Sequence, residues 1–312
     1  IKVVINSHIQ GDNTMRAGIY PDERVIKVDN YALGEFRTCP RKFQHRIGQS
    51  LVPGGFMADP HSVRTPDAPL LFGIAIHKAL DAMFMQESLE IAQEEFLEAY
   101  QPVPEDIRRT PGRGIRLLEA YWKRWHEDDS RYDTVTSELY FEFDLGSMPV
   151  YGETWKVVYG GLVDKILAVD NKLLCMDHKT STWESQYLVP SFQLSNQFIG
   201  YVWATQQIPE YESCRDFIVD VLLISPKNDS FFRSELNMSQ DIIDEWKRGI
   251  LVTCQQILSM HKDEFFPMYG QAACTSWNRL CPYFDICGAS HGFRDTVQNT
   301  QYSKLVWDTS AR

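Results

Sequence analysis

Three residues in the stretch GGLVDKILAVDNKLLCMDHKT, 160–180, could do chemistry together: Asp164, Asp177 and Lys179. Their neighbours read as strand, with Leu162, Val163, Ile166 and Leu167 around the first acid and Leu173, Leu174 and Met176 before the second. Between them Asp170-Asn171 suits a two-residue hairpin turn. With that dipeptide as the loop, 169 pairs with 172, 168 with 173, and 164 comes to face 177. Side chains directly opposite on neighbouring strands lie roughly 4.5–5.5 Å apart, where like charges destabilise. Lys179, two residues beyond Asp177, projects from the same face. The arrangement makes sense if a divalent cation sits between the acids, because hard cations take carboxylate oxygens and share their sites with phosphate. Water on such a cation is far more acidic than bulk water, and the cation offsets charge on a phosphoryl oxygen. Lys179 could then hold or deprotonate the attacking water, or neutralise charge developing on phosphate. The competing reading is a pair of solvated acids on an exposed sheet face, one of them paired with Lys179.

The surrounding sequence supplies elements to position these groups. Asn30 caps a short helix from Tyr31, and Pro40 opens another turn. Prolines and adjacent glycines make 51–69 a long loop. In PLLFGIAIHKALDAMF, Leu71, Ile74, His77, Leu80 and Phe84 recur at helical spacing. Further helices are expected over 88–100 and 113–127, and strands near 133–145 and 150–159, before the hairpin. PSFQLSNQFIGYVWATQQ reads as helix after Pro190, DFIVDVLLIS and FFRSEL as strands, and SQDIIDEWKRGILVTCQQIL as a capped amphipathic helix. The pattern is that of an α/β domain with a central sheet. Residues 1–30 form an arm with one strand. Residues 31–312 form a single domain: helical over 31–130, a sheet core over 131–236, and a C-terminal helix and cysteine region over 237–312.

Composition narrows the function classes. The 312 residues are 44% hydrophobic, enough for a sizeable core in one large or two small domains. The net charge of −11 argues against a general polyanion binder, although acids gathered as metal ligands add to that count. Seven scattered cysteines do not form a secreted disulfide framework. No apolar run approaches the ~20 residues of a bilayer span, and no secretory segment occurs near Ile1, so a cytoplasmic protein is expected.

The order Asp164, then Asp177-His178-Lys179, resembles the PD-(D/E)XK nuclease superfamily, whose acid-x-lysine signature falls on 177–179. FGIAIHKAL resembles the glycine-x-x-x-histidine helix of the RecB-like branch, through Gly73 and His77. GGLVDKI resembles its glycine-x-x-aspartate motif, through Gly161 and Asp164, and QFIGY its glutamine-x-x-x-tyrosine helix, through Gln197 and Tyr201. The motifs run in the family's order across residues 73–201. The resemblance implies a restriction-endonuclease-like core, a central mixed sheet flanked by helices. It implies a Mg²⁺- or Mn²⁺-dependent deoxyribonuclease, of exonuclease type, in a bacterial, archaeal or phage-infected cell. Its metal ligands are then His77, Asp164, Asp177 and the backbone carbonyl of His178, whose side chain falls on the opposite face. Lys179 is the catalytic lysine, and Gln197 and Tyr201 orient it or contact a DNA phosphate. The implied partners are DNA with a free end and a helicase or a recombination or adaptation protein, with no membrane. Glu138, in TSELYFEF, could be a further acid near the site, with a solvated strand residue as the favoured reading.

Cys39 in FRTCPRKF and Cys274, Cys281 and Cys287 in CTSWNRLCPYFDIC resemble the iron–sulfur subset of RecB-like nucleases, of AddB, CRISPR-associated and phage exonuclease type. This implies a 4Fe–4S cluster held by four thiolates that joins the N- and C-terminal helical parts. One step departs from the common spacing: a C-x-x-C needs cysteine where Asn278 stands. A four-thiolate zinc site or four reduced thiols are the alternatives. Cys175, Cys214 and Cys254 read as buried thiols. Arg41, Lys42 and Arg46 beside Cys39, and Arg108, Arg109, Arg113 and Arg116 upstream of the sheet, are candidate phosphate contacts. Trp183 is a candidate base-stacking residue. Two other classes compete, a non-catalytic DNA-binding or helicase-partner module and a scaffold with structural zinc. The joint presence of Asp164, Asp177 and Lys179 favours an enzyme, and a scaffold has no use for His77, Gln197 and Tyr201.

Overall fold

The turn at Asp170-Asn171 forms with positive φ at both residues, 49° and 61°, the combination a type I′ hairpin needs. It joins β5 (Glu153–Val169) to β6 (Lys172–Ser181), and the ladder runs in the expected register from Val169↔Lys172 to Lys165↔Met176. The computed structural model describes residues 16–54, 68–103, 106–182, 187–225, 229–276 and 279–305. Trp183 and most of the expected loop at 51–69 lie outside the described residues.

Seven strands, among the described residues, form one mixed sheet in the order β1-β2-β5-β6-β7-β8, with β4 also pairing β5. The others are β1 (Gly18–Tyr20), β2 (Val25–Val28), β4 (Asp133–Val150), β7 (Asp216–Leu223) and β8 (Ser230–Asn237). Pairing is parallel for β2–β5 and β6–β7 and antiparallel elsewhere. Two differences from the sequence reading follow. Residues 18–28 supply two strands to the sheet, where one strand in an arm is expected. The segments read as 150–159 and the first hairpin arm are one strand, β5, which continues through Gly160-Gly161.

Helices cover both faces. On one side α3 (Ala68–Gln86), α4 (Leu89–Ala99) and α5 (Pro111–Asp129) share a core that includes Phe72, Phe96, Tyr121 and Leu222 of β7. On the other, α1 (Asn30–Thr38), α7 (Asn196–Thr205) and α8 (Gln240–Lys262) pack with the sheet in the larger core around Phe141, Tyr159, Trp203 and Trp246. The cap of α1 is Asp29, which accepts from Ala32 N at 2.7 Å, one residue before the expected Asn30. The helix expected after Pro190 is two, because the chain turns extended at Ser195 between α6 (Leu188–Gln193) and α7. By length and composition α3 is long and apolar enough to cross a bilayer, contrary to the sequence reading. It nonetheless packs Phe72, Ala75, Ile76, Ala79 and Leu80 into the core.

The remaining elements tie the two ends of the chain. They are α2 (Pro40–Phe43) with a π-helical turn at Gln44–Gly48, β3 (Leu51–Pro53), α9 (Gln271–Cys274), α10 (Phe284–Gly288), α11 (Arg294–Gln301) and β9 (Tyr302–Lys304). Strand β3 pairs antiparallel with β9. Arg41 donates through N to Pro267 O at 3.1 Å and through Nε to Phe266 O at 2.6 Å, and Tyr283 Oη donates to Leu51 O at 2.7 Å.

Candidate active site

Strands β5 and β6 part where the two acids stand. The last ladder pair is Lys165↔Met176, and beyond it Asp164 Oδ2 accepts the backbone N–H of His178 at 3.2 Å. The carboxylate thus occupies the fork where a backbone acceptor would otherwise sit. Strand β6 continues alongside β7, with Asp177 against Val219 and Lys179 against Val221. From α3, His77 Nδ1 reaches Asp164 Oδ2 at 3.1 Å. From the other face, Gln197 Nε2 donates to Asp177 Oδ1 at 3.2 Å and to Tyr201 Oη at 3.0 Å. Lys179 Nζ stands 2.5 Å from Asp177 Oδ2, yet outside hydrogen-bonding alignment, so that buried oxygen has no aligned donor.

Two glycines let α7 come this close. A Cβ on Gly161 of β5 would stand 2.8 Å from the Phe141 ring and 3.3 Å from the Tyr201 ring. One on Gly200 of α7 would stand 2.5 Å from the Tyr159 hydroxyl and 2.8 Å from Trp246. Aromatic rings fill the space that these glycines leave, and the fit fixes the height of Gln197 over Asp177.

Asp177 is fully buried. Burial first, and Asp164 second, push its carboxyl above the usual range, and Lys179 and His77 pull it only part of the way back. Two buried acids with one unaligned oxygen, an imidazole on the same fork and excess negative charge together fit a hard divalent cation. Among the described residues, no group of three or more His, Cys, Asp or Glu side chains already stands in metal-holding geometry. His77 and Asp164 are in contact, while Asp177 is engaged by Lys179 and Gln197.

The opposite face of β6 carries a second polar group, which sequence reading did not anticipate. His178 is buried, with Nδ1 3.1 Å from Asp220 Oδ2 and Nε2 3.4 Å from Lys165 Nζ. The ammonium can only donate, so Nε2 accepts and Nδ1–H donates to Asp220. Burial, and then the charge of Lys165, push the His178 pKa down to about 4, which keeps the ring neutral. Lys165 also pairs with Asp81 of α3 at 3.3 Å. Asp220 further receives Tyr121 Oη and Arg233 Nη2, and Arg233 Nη1 pairs with Asp129 at 2.5 Å. Burial pushes Asp220 up, but the bonds from His178, Arg233 and Tyr121 hold it below its usual range. Glu138, opposite Asp164 between the pairs Ser137↔Lys165 and Leu139↔Val163, has φ 47° and lines the same cavity as Asp164. Its pKa is raised by burial and then by Asp81 and Asp164, so it belongs to the acid cluster rather than to open solvent. Two signals pointed to these residues: Asp81 lies one helical turn after His77, and Asp220 is a lone acid within the apolar run FIVDVLLI.

Contrary to the expected cluster, Cys39, Cys274, Cys281 and Cys287 do not form a metal-holding group among the described residues. Cys39 separates α1 from α2, Cys281 N donates to Cys274 O at 2.7 Å, and Cys287 Sγ lies 3.6 Å from His45 Nε2. Burial raises the pKa of Cys281, with Cys274 and Cys39 adding to the rise, and raises that of Cys287 to about 11, with Cys281, Cys39 and Cys274 adding to it. Cys175, Cys214 and Cys254 are buried elsewhere. The candidate DNA contacts have partners within the chain: Arg41 with Phe266 O, Lys42 with Glu35 at 2.8 Å, Arg46 with the Tyr31 hydroxyl and Arg113 with Asp229 at 2.5 Å.

A mixed α/β sheet whose central hairpin opens onto acids and a lysine defines a class of phosphodiesterase folds. The sequence places this chain within it: residues 31–288 match the model of the PD-(D/E)XK nuclease superfamily, and the chain belongs to that superfamily. No curated protein matches it significantly. Among solved structures it is similar to a proposed exonuclease from Eubacterium rectale, with 11% identity, 81% of this chain and 88% of that chain covered, and a TM-score of 0.45. It is also similar to the alkaline exonuclease LHK-Exo from Laribacter hongkongensis, with 10% identity, 62% and 95% covered, and a TM-score of 0.27. Likenesses at this level carry no argument about activity.

Proposed function

We propose that this chain is a metal-dependent deoxyribonuclease that hydrolyses phosphodiesters by water attack, working as an exonuclease with Mg²⁺ or Mn²⁺. The observation that carries the reading is the forked hairpin, where His77, Asp164 and Lys179 line a cavity and Lys179 pairs with the buried Asp177. His77, Asp164, Asp177 and the His178 carbonyl would hold the cation, which when bound acidifies water and offsets charge on the phosphate. Lys179, on the face of Asp177, is in place to hold the attacking water or to meet charge on the phosphoryl oxygens. Gln197 and Tyr201 act together: the amide fixes Asp177 Oδ1 and the phenol fixes the amide. Arg46 and Lys42 on the N-terminal helices, with Arg41 and Arg113, are proposed to meet DNA phosphates, exchanging their internal partners for the substrate.

The cysteine region is proposed to hold a structural 4Fe–4S cluster through Cys39, Cys274, Cys281 and Cys287. The resemblance of the cysteine spacing to that subset supports this reading, with Cys281 N bonded to Cys274 O, and four thiolates suit either iron–sulfur or zinc. A bound cluster would reinforce the contacts that already link α2 to the C-terminal region. The 31–312 segment is proposed as one nuclease domain.

The test is incubation with Mn²⁺ and DNA labelled at the 5′ or the 3′ end. Release of short products from one end is expected. DNA left intact by metal-replete protein overturns the enzyme reading in favour of a DNA-binding module, and internal fragments overturn the exonuclease reading.

A further inference from the structure

Lys165 of β5 directly follows Asp164, and it is buried, 1% exposed. Among the described residues no other lysine or arginine is as buried. Taking an ammonium out of water is costly unless partners hold it. Here the partners come from two elements. His178 of β6 accepts from Nζ through Nε2 at 3.4 Å. From α3, Asp81 Oδ1 stands 3.3 Å away, a charge contact outside hydrogen-bonding alignment, and the centroid of the Phe84 ring lies 4.9 Å from Nζ. The same three elements supply the fork: His77 from α3, Asp164 from β5 and Asp177 from β6. In α3, Gly73, His77, Asp81 and Phe84 recur at helical spacing and share one face. Each meets the sheet. A Cβ on Gly73 would stand 3.3 Å from Thr180 Oγ1, His77 contacts Asp164 at 3.1 Å, and Asp81 and Phe84 contact Lys165.

We propose that Lys165 is a positioning residue: its buried ammonium sets the register of α3 on β5 and so holds the His77 imidazole at Asp164. The inference rests on the nuclease reading above, in which His77 is a metal ligand, and adds a residue that acts through it. Two consecutive strand residues of opposite charge face two helix residues one turn apart, Asp164 with His77 and Lys165 with Asp81. That order of charges admits one register. A slip of α3 by one turn, about 5.4 Å, in one direction sets Asp81 against Asp164, acid on acid. In the other direction it sets His77 against Lys165 and leaves the ammonium without a carboxylate. An apolar pair at 81 and 165 would stabilise the interface as well, since a buried ion pair is often no better than hydrophobic residues of similar volume. It would not distinguish these registers. The contribution of the pair is therefore the choice of register rather than stability.

The experiment measures Mn²⁺ binding by titration calorimetry in wild type, Lys165→Met, His77→Ala and Lys165→Met/His77→Ala, with DNA cleavage by wild type in Mn²⁺ alongside. Removing a positive charge beside the fork by itself favours a cation, so electrostatics alone predicts tighter binding by Lys165→Met. Loss of a residue that orients a metal ligand costs about 10–100-fold. Lys165→Met should therefore bind Mn²⁺ about tenfold or more weaker than wild type, and should lose nothing further in the His77→Ala background. Unchanged or tighter binding by Lys165→Met overturns the proposal, and so does an equal loss with and without His77, which is what general loosening of the fold produces. Lys165→Met is expected to fold, because the Asp81 side chain is 27% exposed and can turn its freed carboxylate to water. Should it not, Asp81→Asn/Lys165→Met removes both charges and runs through the same cycle with the same deciding outcomes. Failure of the nuclease reading looks different: wild type binds Mn²⁺ and cuts no DNA, while the cycle still decides the role of Lys165. Wild type that binds no Mn²⁺ overturns both.

Discussion

Asp177 combines full burial, a nearby carboxylate at Asp164 and an oxygen without an aligned donor. Such a residue weakens the metal-free fold and is useful only when positive charge arrives. Asp177→Asn should therefore lower cleavage by about a hundredfold or more, since even outer groups of metal sites cost 10–100-fold. The melting temperature without metal should stay level or rise, as seen by calorimetry. A clear drop in metal-free stability would mean that the pair with Lys179 outweighs the repulsion. His77 touches Asp164 from α3. His77→Ala should weaken Mn²⁺ binding, measured by titration calorimetry, more than it weakens DNA binding in Ca²⁺. Unchanged Mn²⁺ affinity would return His77 to the role of a helix residue that hydrogen-bonds an acid.

Strand β6 has a working side and a supporting side, and the supporting side predicts a pH dependence. The His178 pKa is about 4 in the fold and near 6.5 when unfolded. As pH falls from about 6.5 towards 4, the unfolded chain takes up a proton that the folded chain refuses. The stability this residue contributes is thus whole above 6.5 and is lost through that window, by about 3 kcal/mol. Asp177 responds in the opposite sense, so wild type must be compared with His178→Gln, which keeps the Asp177 contribution. Denaturant melts between pH 7 and pH 4 should show the larger loss in wild type, and parallel curves would contradict the buried neutral ring. The hairpin was readable from sequence because its turn chemistry and alternation are local, and the register followed from Asp170-Asn171 alone. The His178–Asp220 pair was not, because 42 residues separate its partners and the parallel β6–β7 pairing that joins them leaves no local signature. The break at Ser195 was missed for a related reason: an apolar, helix-compatible run conceals a turn that packing imposes. Glu138 looked solvated because strand alternation says nothing about a neighbouring helix such as α3.

The chain closes on itself at whole-molecule scale. Helix α2 and strand β3 bond to residues 266–304, and the four thiols of the proposed cluster lie in the segments so joined. If they hold a cluster, its binding free energy adds to folding, and the loop it closes is long enough for the entropic gain to be large in principle. Protein purified without air should then be brown with about four irons per chain. Cys281→Ser should bleach and strongly destabilise it, while Cys254→Ser, at a buried thiol of α8 that is not one of the four, should do neither. A colourless protein with one zinc would replace the cluster by a zinc site. Absence of both metals on elemental analysis, with equal mild effects of the two substitutions, would leave ordinary thiols held by the contacts already present.

The most direct test of the account is whether cleavage depends on the fork itself. Single-turnover rates with Mn²⁺ on end-labelled single-stranded DNA should be compared for wild type, Asp164→Asn, Asp177→Asn and Lys179→Ala, all purified in the same way and shown to be folded. The account predicts measurable cleavage by wild type and a loss of about a hundredfold or more in each variant. Wild-type protein without activity, or variants that cut within a few-fold of wild type, would contradict the assignment of the β5–β6 fork as a catalytic centre.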